Sequence, residues 1–347
     1  MTDPKNLETY PVPTVDDSGI YDFAMSIFAG QAALVAFDLG LFELLAEGPE
    51  TLLAVSERLG LAPRSAEAIL DVCVALKLLS REGDHFALTE LTRAHLLPES
   101  QTYLGDFLRA ATFGQPELTS FPSVRRAIVE NRAQVYDGKE MFETHAQVDA
   151  RAREFTLMMH GHSIGSALAW PTRTDLADVG HMVDVGGGSG AHAIGAALRW
   201  PHLTAEVADM AAVVPVAEEM IAKYGVTDRV RASALDFWGE ALPPSDLHFY
   251  GDIFHDWPDE KCLGLMQKSF DALPPGGRIM VHEVLKNEDR SGPLLAAALS
   301  VVMLAWTEGK QRTGAEYKAM LESVGFAEVE VWQAFGYWSI VSARKPQ

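Results

Sequence analysis

The chain has 347 residues, enough for roughly two domains of about 100–200 residues each, and its 48% hydrophobic content supports a sizeable core and excludes wholesale disorder. Its 28 Lys and Arg stand against 48 Asp and Glu, a net charge of -20 that repels phosphate backbones and anionic membrane surfaces and argues against nucleic acid as a partner. Its two cysteines, Cys73 and Cys262, offer neither a zinc spacing nor a disulfide framework and read as reduced core residues.

Residues 1–18 carry three prolines and no apolar h-region, so they read as a flexible tail. No window of about 18 uninterrupted apolar residues occurs, so neither a signal peptide nor a membrane span is expected, and the expected location is cytoplasmic. From Ala32 to Leu45 apolar residues recur at helical spacing until Gly48-Pro49. Thr51 to Leu59 predicts a short helix closed by Gly60. Ala62-Pro63-Arg64-Ser65 opens another that is expected to reach Leu79. A turn at Arg81-Glu82-Gly83-Asp84 and a short strand at His85 to Leu88 complete a winged-helix pattern. Charge opposes the DNA-binding reading of that pattern. Leu41 to His95 holds 9 acidic and 5 basic residues, and the would-be recognition helix, Ser65 to Leu79, offers Lys77 as its one base. A packing or dimerisation module is the better expectation.

Helices are expected to continue to about Trp170, and from Gly180 the texture changes. Strands are predicted at 181–185, 203–208, 229–233, 246–250 and 277–283. Helices are predicted at 190–200, 211–224, 258–273, 292–306 and 313–324. Two closing strands fall at about 326–333 and 336–343, with Phe335-Gly336 at the turn. Strand–helix alternation of this kind predicts an α/β fold with a doubly wound, mostly parallel sheet whose ligands bind beyond the carboxyl ends of the strands.

Val183-Asp184-Val185-Gly186-Gly187-Gly188-Ser189-Gly190 closes the first of those strands. Glycines there permit tight turning and close backbone approach to a ligand. The spacing Gly186-x-Gly188-x-x-Ala191 also fits a dinucleotide fingerprint, and Asp209, at the end of the second strand, suits a ribose in either case, so an NAD-linked oxidoreductase stays open on the loop alone. Three features favour S-adenosylmethionine (SAM). Asp184 can organise the loop or receive an ammonium. Asp236-Phe237 after the third strand suits an adenine amine and ring. His255, in Phe254-His255-Asp256-Trp257, stands at the carboxyl edge after the fourth.

Taken with Pro275-Gly276-Gly277-Arg278, Gly309-Lys310-Gln311-Arg312-Thr313 and Met159-x-x-His162-Ser163, these pieces resemble the class I SAM-dependent O-methyltransferases. That class is typified by plant caffeate, flavonoid and acetylserotonin enzymes and by bacterial polyketide and phenazine tailoring enzymes. The resemblance runs from about Tyr21 to Lys345. It implies a tail at 1–18, an all-helical winged-helix-like dimerisation and substrate-cap domain at 19–170, a SAM-binding Rossmann-like domain at 171–347, and a homodimer. It implies that His255 is the general base, with Glu283 orienting the imidazole and Gln311 beside it. The cofactor residues it implies are Gly186, Gly188, Asp209, Met210, Asp236, Phe237, Gly251, Trp257 and Ser163. Phe155, Met158, Met159, His162, Met303 and Trp306 would line the pocket of a small-molecule acceptor, an aromatic or polyketide-like hydroxyl compound. Gly114-Gln115-Pro116 to Phe121 would be a loop near its mouth.

Two positions depart from the family pattern. Gln311 stands where a second glutamate is usual, and Gly251 where a Lys or Arg is often found four residues before the histidine. These departures keep open a SAM-binding relative that catalyses a hydroxylation, decarboxylation or rearrangement. His160, His162, His282 and His255 raise the question of a metal, but no cysteine or paired-carboxylate cluster accompanies them, and no metal is expected.

Overall fold

The structure, a computed structural model, describes residues 13–113, 120–134 and 149–347. The chain divides into two compact units between Ser100 and Gln101.

The first unit opens with helix α1 (Ser18–Asp38) and α2 (Leu41–Ala46). The apolar periodicity predicted one helix from Ala32 to Leu45, but Gly40 adopts a left-handed backbone (φ 76) and breaks the run, which periodicity cannot register. Helix α3 (Leu52–Arg58) is capped by the Thr51 hydroxyl, which accepts from the Ala54 N–H. Helix α4 (Pro63–Ala75) stops short of the predicted Leu79, because Leu79 opens the hairpin β2 (Leu79–Glu82) and β3 (His85–Leu88). β1 (Glu50–Thr51) pairs with β3, so the unit holds a three-stranded sheet and is not all-helical. Helix α5 (Glu90–His95) follows, capped by Thr89.

In the second unit, α6 (Gly105–Phe113), α7 (Phe121–Glu130) and α8 (Asp149–Ala169) precede a seven-stranded sheet. The expected loop from Gly114 lies outside the described residues up to position 119; Phe121 opens α7. The strands are β4 (His181–Val185), β5 (Thr204–Asp209), β6 (Val230–Ala234), β7 (Leu247–Gly251), β8 (Arg278–Val284), β9 (Ala327–Phe335) and β10 (Trp338–Arg344). Their order is β6-β5-β4-β7-β8-β10-β9. The first five run parallel, and β10 and β9 are antiparallel. Helices α9 (Ala191–Arg199), α10 (Val214–Lys223), α11 (Asp259–Ala272), α12 (Leu294–Trp306) and α13 (Gly314–Val324) complete the unit.

Alternate residues of each strand feed two cores. Met182, Phe249 and Met280 pack with Trp170, Ile194 and Met220, while Val183, Tyr250 and Val281 pack with Leu265, Tyr317 and Leu321. Burial on both faces explains why these strands read as continuous apolar runs. The order reverses beside β4, which places a crevice at the carboxyl ends of β4 and β7.

Candidate active site

The glycine segment leaves β4 at that crevice. Gly186, Gly188 and Gly190 all hold left-handed backbone (φ 67, 57 and 76). A side chain on Gly186 would strike Ile253 at 2.6 Å and one on Gly190 would strike Val207 at 2.8 Å. A Cβ on Gly188 would meet nothing within 4 Å, so its glycine answers to the backbone turn and to what approaches the open side of the loop. Asp209, the last residue of β5, accepts from the Gly188 N–H at 2.7 Å and from the Met210 N–H at 2.6 Å, tying the loop to the neighbouring strand. Asp184 is fully buried, and its Oδ2 accepts from the Ala193 N–H in the first turn of α9 at 3.1 Å. Burial pushes its carboxyl up to about 7. Its Oδ1 has no hydrogen-bond partner among the described residues.

At the end of β6, Asp236 folds back to accept from the Trp238 N–H at 2.9 Å. The half-buried Phe237 ring lies against the Gly186 turn. Trp238 meets Phe237 and Trp257 edge-on, each with ring centroids 5.0 Å apart. The Lys268 ammonium holds this corner by donating to the carbonyls of Phe237, Trp238 and Glu240.

His255 sits on a single 3-10 turn, Phe254–Asp256, just past β7. Its imidazole is 9% exposed. Nδ1 lies 2.7 Å from Gln311 Nε2, and Nε2 lies 3.7 Å from Asp256 Oδ1. Glu283 reaches the main chain of this turn and not the ring: its Oε1 accepts from the His255 N–H at 3.0 Å, and its Oε2 accepts from the Tyr317 hydroxyl. Burial alone would push the imidazole down, but the carboxylates of Asp256, Glu283 and Asp252 outweigh it and hold His255 above its ordinary value. Asp256, buried beside other acids, is pushed up to about 7.

The turn is clamped by Arg312, which spacing did not single out beyond its motif. Its guanidinium is almost fully buried and donates to the carbonyls of Phe254 and Trp257, each at 2.8 Å, so it brackets His255, and to Asp259 at 2.7 Å. Gly309 packs against the same turn, since a Cβ there would overlap the His255 carbonyl oxygen.

An O-methyltransferase domain model matches residues 121–327, and an O-methyltransferase dimerisation domain model matches residues 21–98. The chain is 32% identical to the 3-hydroxy-5-methyl-1-naphthoate 3-O-methyltransferase of Streptomyces sahachiroi, with 89% of each chain covered. It is 33% identical to the acetylserotonin O-methyltransferase of Bos taurus, over 93% of this chain and 96% of the relative. The chain belongs to the O-methyltransferase family. The human N-acetylserotonin methyltransferase, solved in complex with SAM, superposes with a TM-score of 0.82 at 29% identity, over 97% of this chain and 100% of that one.

This O-methyltransferase is SAM-dependent, and its crevice fits that group. The observations are the open glycine turn at Gly188, the buried Asp209 at the adjoining strand end, the Phe237 ring against Gly186, and the orphaned Oδ1 of Asp184. Gly251 has its own explanation. A Cβ there would lie 2.6 Å from the imidazole of His192, which fills the space that a Lys or Arg side chain would need. His192 is buried, and burial holds it neutral, well below its ordinary value.

Of the expected acceptor residues in the O-methyltransferase, Phe155 on α8 and Trp306 on α12 are brought together, with ring centroids 6.4 Å apart. Met303 is buried on α12; Met158 is buried and Met159 half-buried on α8. His162 lies between Phe107 (4.8 Å) and Trp338 (5.3 Å), with Nε2 3.4 Å from Asp252 Oδ2. Ser163 is half-buried on the same helix. The residue of α8 that touches the glycine loop is His160, whose Nδ1 lies 2.8 Å from Ser189 Oγ and whose Nε2 lies 3.3 Å from the Tyr224 hydroxyl. Its position on α8 carried no signal beyond the histidine itself. Among the described residues no group of His, Cys, Asp or Glu is arranged to hold a metal ion. A surface cleft of about 710 Å³ at the opposite, amino edge of the sheet is lined by Asp178, Arg278 and Arg344, which are already paired with one another, and no site residue reaches it.

Proposed function

We propose that this enzyme methylates a hydroxyl of a small aromatic or polyketide-like acceptor, with His255 as the general base. The observation that carries the reading is the buried imidazole at the carboxyl edge of the sheet, fixed on one nitrogen by Gln311 and surrounded by carboxylates. SAM, when bound, supplies a methyl group already activated on a sulfonium, so the work left to the protein is orientation and removal of the acceptor proton. In this reading Gly186, Gly188, Asp209, Met210, Asp236, Phe237, Trp257 and Ser163 hold SAM. Phe155, Met159, His162, Met303 and Trp306 shape the acceptor pocket.

The contact to Gln311 sets a tautomer requirement. To take a proton at Nε2, neutral His255 must carry its hydrogen on Nδ1, where it needs an acceptor. Turning the Gln311 amide about its last bond presents Oε1 to Nδ1–H and meets that need; in the other orientation Nε2 bears the hydrogen and cannot act as the base. Glutamine thus does locally what a glutamate would do, without the added charge. Glu283 and Arg312 act on the main chain around His255 and keep the ring where it is.

The test is His255→Ala, with turnover and S-adenosylhomocysteine affinity measured side by side. Turnover is expected to fall by about 10²–10⁴-fold, the usual contribution of a positioned base, with calorimetric affinity for S-adenosylhomocysteine little changed. Undiminished turnover would sink the assignment. Release of S-adenosylhomocysteine in step with product distinguishes methyl transfer from a hydroxylation, decarboxylation or rearrangement, the reading that Gln311 motivates.

A further inference from the structure

Asp252 directly follows β7 and lies three residues before His255. Its backbone is left-handed (φ 53), a region that aspartate and asparagine reach more readily than most residues. The turn carries its side chain to His162, with Oδ2 3.4 Å from the imidazole Nε2. That is an ion-pair separation, and Oδ2 makes no hydrogen bond among the described residues although the side chain is only 5% exposed. Burial by itself would neutralise the group, but His162, His255 and His282 hold it well below the ordinary carboxylate range. His192 is also within electrostatic reach. A buried, ionised carboxylate with an unused acceptor atom is costly unless a donor completes it.

Around the neighbouring His255, Asp256, Glu283 and Asp252 supply negative charge, and Arg312, a cation that opposes them, is committed to Asp259 and two carbonyls. The floor beside the base is therefore electronegative. We propose that Asp252, backed by His162, recognises a protonated amine carried by the acceptor; the proposal rests on the reading of His255 as the base that faces that acceptor. An ammonium beside the carboxylate supplies a full counter-charge. An acceptor bearing a carboxylate in the same place meets the ionised Asp252 and is rejected. The discrimination is set by charge, so it is separable from the shape of the aromatic pocket.

Three hydroxyindoles share one ring and one hydroxyl and differ in side-chain charge: serotonin, N-acetylserotonin and 5-hydroxyindole-3-acetate. The wild-type enzyme is expected to favour serotonin over the acetate in kcat/KM by at least about tenfold, and Asp252→Asn, which keeps the shape and tolerates the left-handed turn, is expected to lower that ratio by about tenfold or more. Calorimetric titration of the S-adenosylhomocysteine-loaded protein with the same compounds gives the comparison without turnover. Equal affinity for amine and acid, a preference for the acid, or a preference that D252N leaves intact overturns the proposal. A fall in S-adenosylhomocysteine affinity in D252N, with the acceptor ratio unchanged, also overturns it and assigns the carboxylate to the ammonium of the methionine portion of SAM. If H255A is inactive while D252N keeps the wild-type ratio, the amine site falls and the base stands; if H255A is active, the base falls first.

Discussion

His255 illustrates how much of this site turns on individual atoms. Its neighbours Asp256, Glu283 and Asp252 raise it, and a general base works only in its neutral form. The rate should therefore climb as pH rises through a value above the ordinary histidine range, and it should be lost on the acid side. Gln311→Glu adds a negative charge at Nδ1 and should move that acid limb to higher pH; Glu283→Gln removes one and should move it to lower pH. The pH profile of kcat/KM checks both, and shifts in the opposite sense would count against the electrostatic account. Gly251 and His192 form a second atomic dependence. Gly251→Ala forces a methyl into the imidazole at 2.6 Å and should destabilise the protein by about 1–3 kcal/mol, as overpacking does. The penalty should shrink in a His192→Ala background, and a double-mutant cycle by denaturant unfolding measures the coupling. Additive costs would show that the two residues do not compete for space.

Among the elements, α8 and α9 determine where the glycine loop can lie. They cross so closely that a Cβ on Gly195 would sit 2.1 Å from the Ala167 carbonyl oxygen, which is backbone and cannot swing away. Gly195→Ala should cost about 1–3 kcal/mol and lower the midpoint of thermal unfolding by several degrees, read by circular dichroism; an unchanged midpoint would mean the helices separate freely. The strands and helices from Gly180 onward were legible in sequence to within a few residues, because strands buried on both faces and amphipathic crossover helices announce themselves by local pattern. The first unit was less legible. Gly40 breaks a continuous apolar run, and α4 ends early because Leu79 pairs with Leu88 across a hairpin. In both places a backbone conformation or a strand partner overrides the periodicity.

For the whole molecule the telling feature is α1. It is long and apolar enough to cross a membrane by length and composition, with a mean hydropathy of 1.5, whereas the sequence reading required an uninterrupted apolar run and expected no span. Phe23, Ile27 and Phe28 are each at least 70% exposed. The match of residues 21–98 to an O-methyltransferase dimerisation domain gives such a face a reason to exist. The wild-type chain is expected to be a homodimer, and a Phe23→Asp, Phe28→Asp double variant is expected to shift it toward monomer, as read by light scattering across a dilution series. A wild-type monomer, or a variant that dimerises as before, would remove α1 from that role.

Local signals carried the fold class, the glycine loop after β4, the acids at the ends of β5 and β6, and the histidine past β7, because each is set within a few residues by periodicity, turn chemistry or motif spacing. The remainder depended on residues distant along the chain that meet only when the sheet is assembled. Glu283 was expected at the imidazole and instead holds the main chain of its turn; Gln311 is the side chain that reaches the ring. Gly251 read as a missing cation, yet its space belongs to His192 on another element. Asp252 gave no signal at all, because a surface aspartate and a buried one paired with His162 look alike in one dimension. Burial and long-range partners decide the charge state of such groups, and those are properties of the packed structure alone.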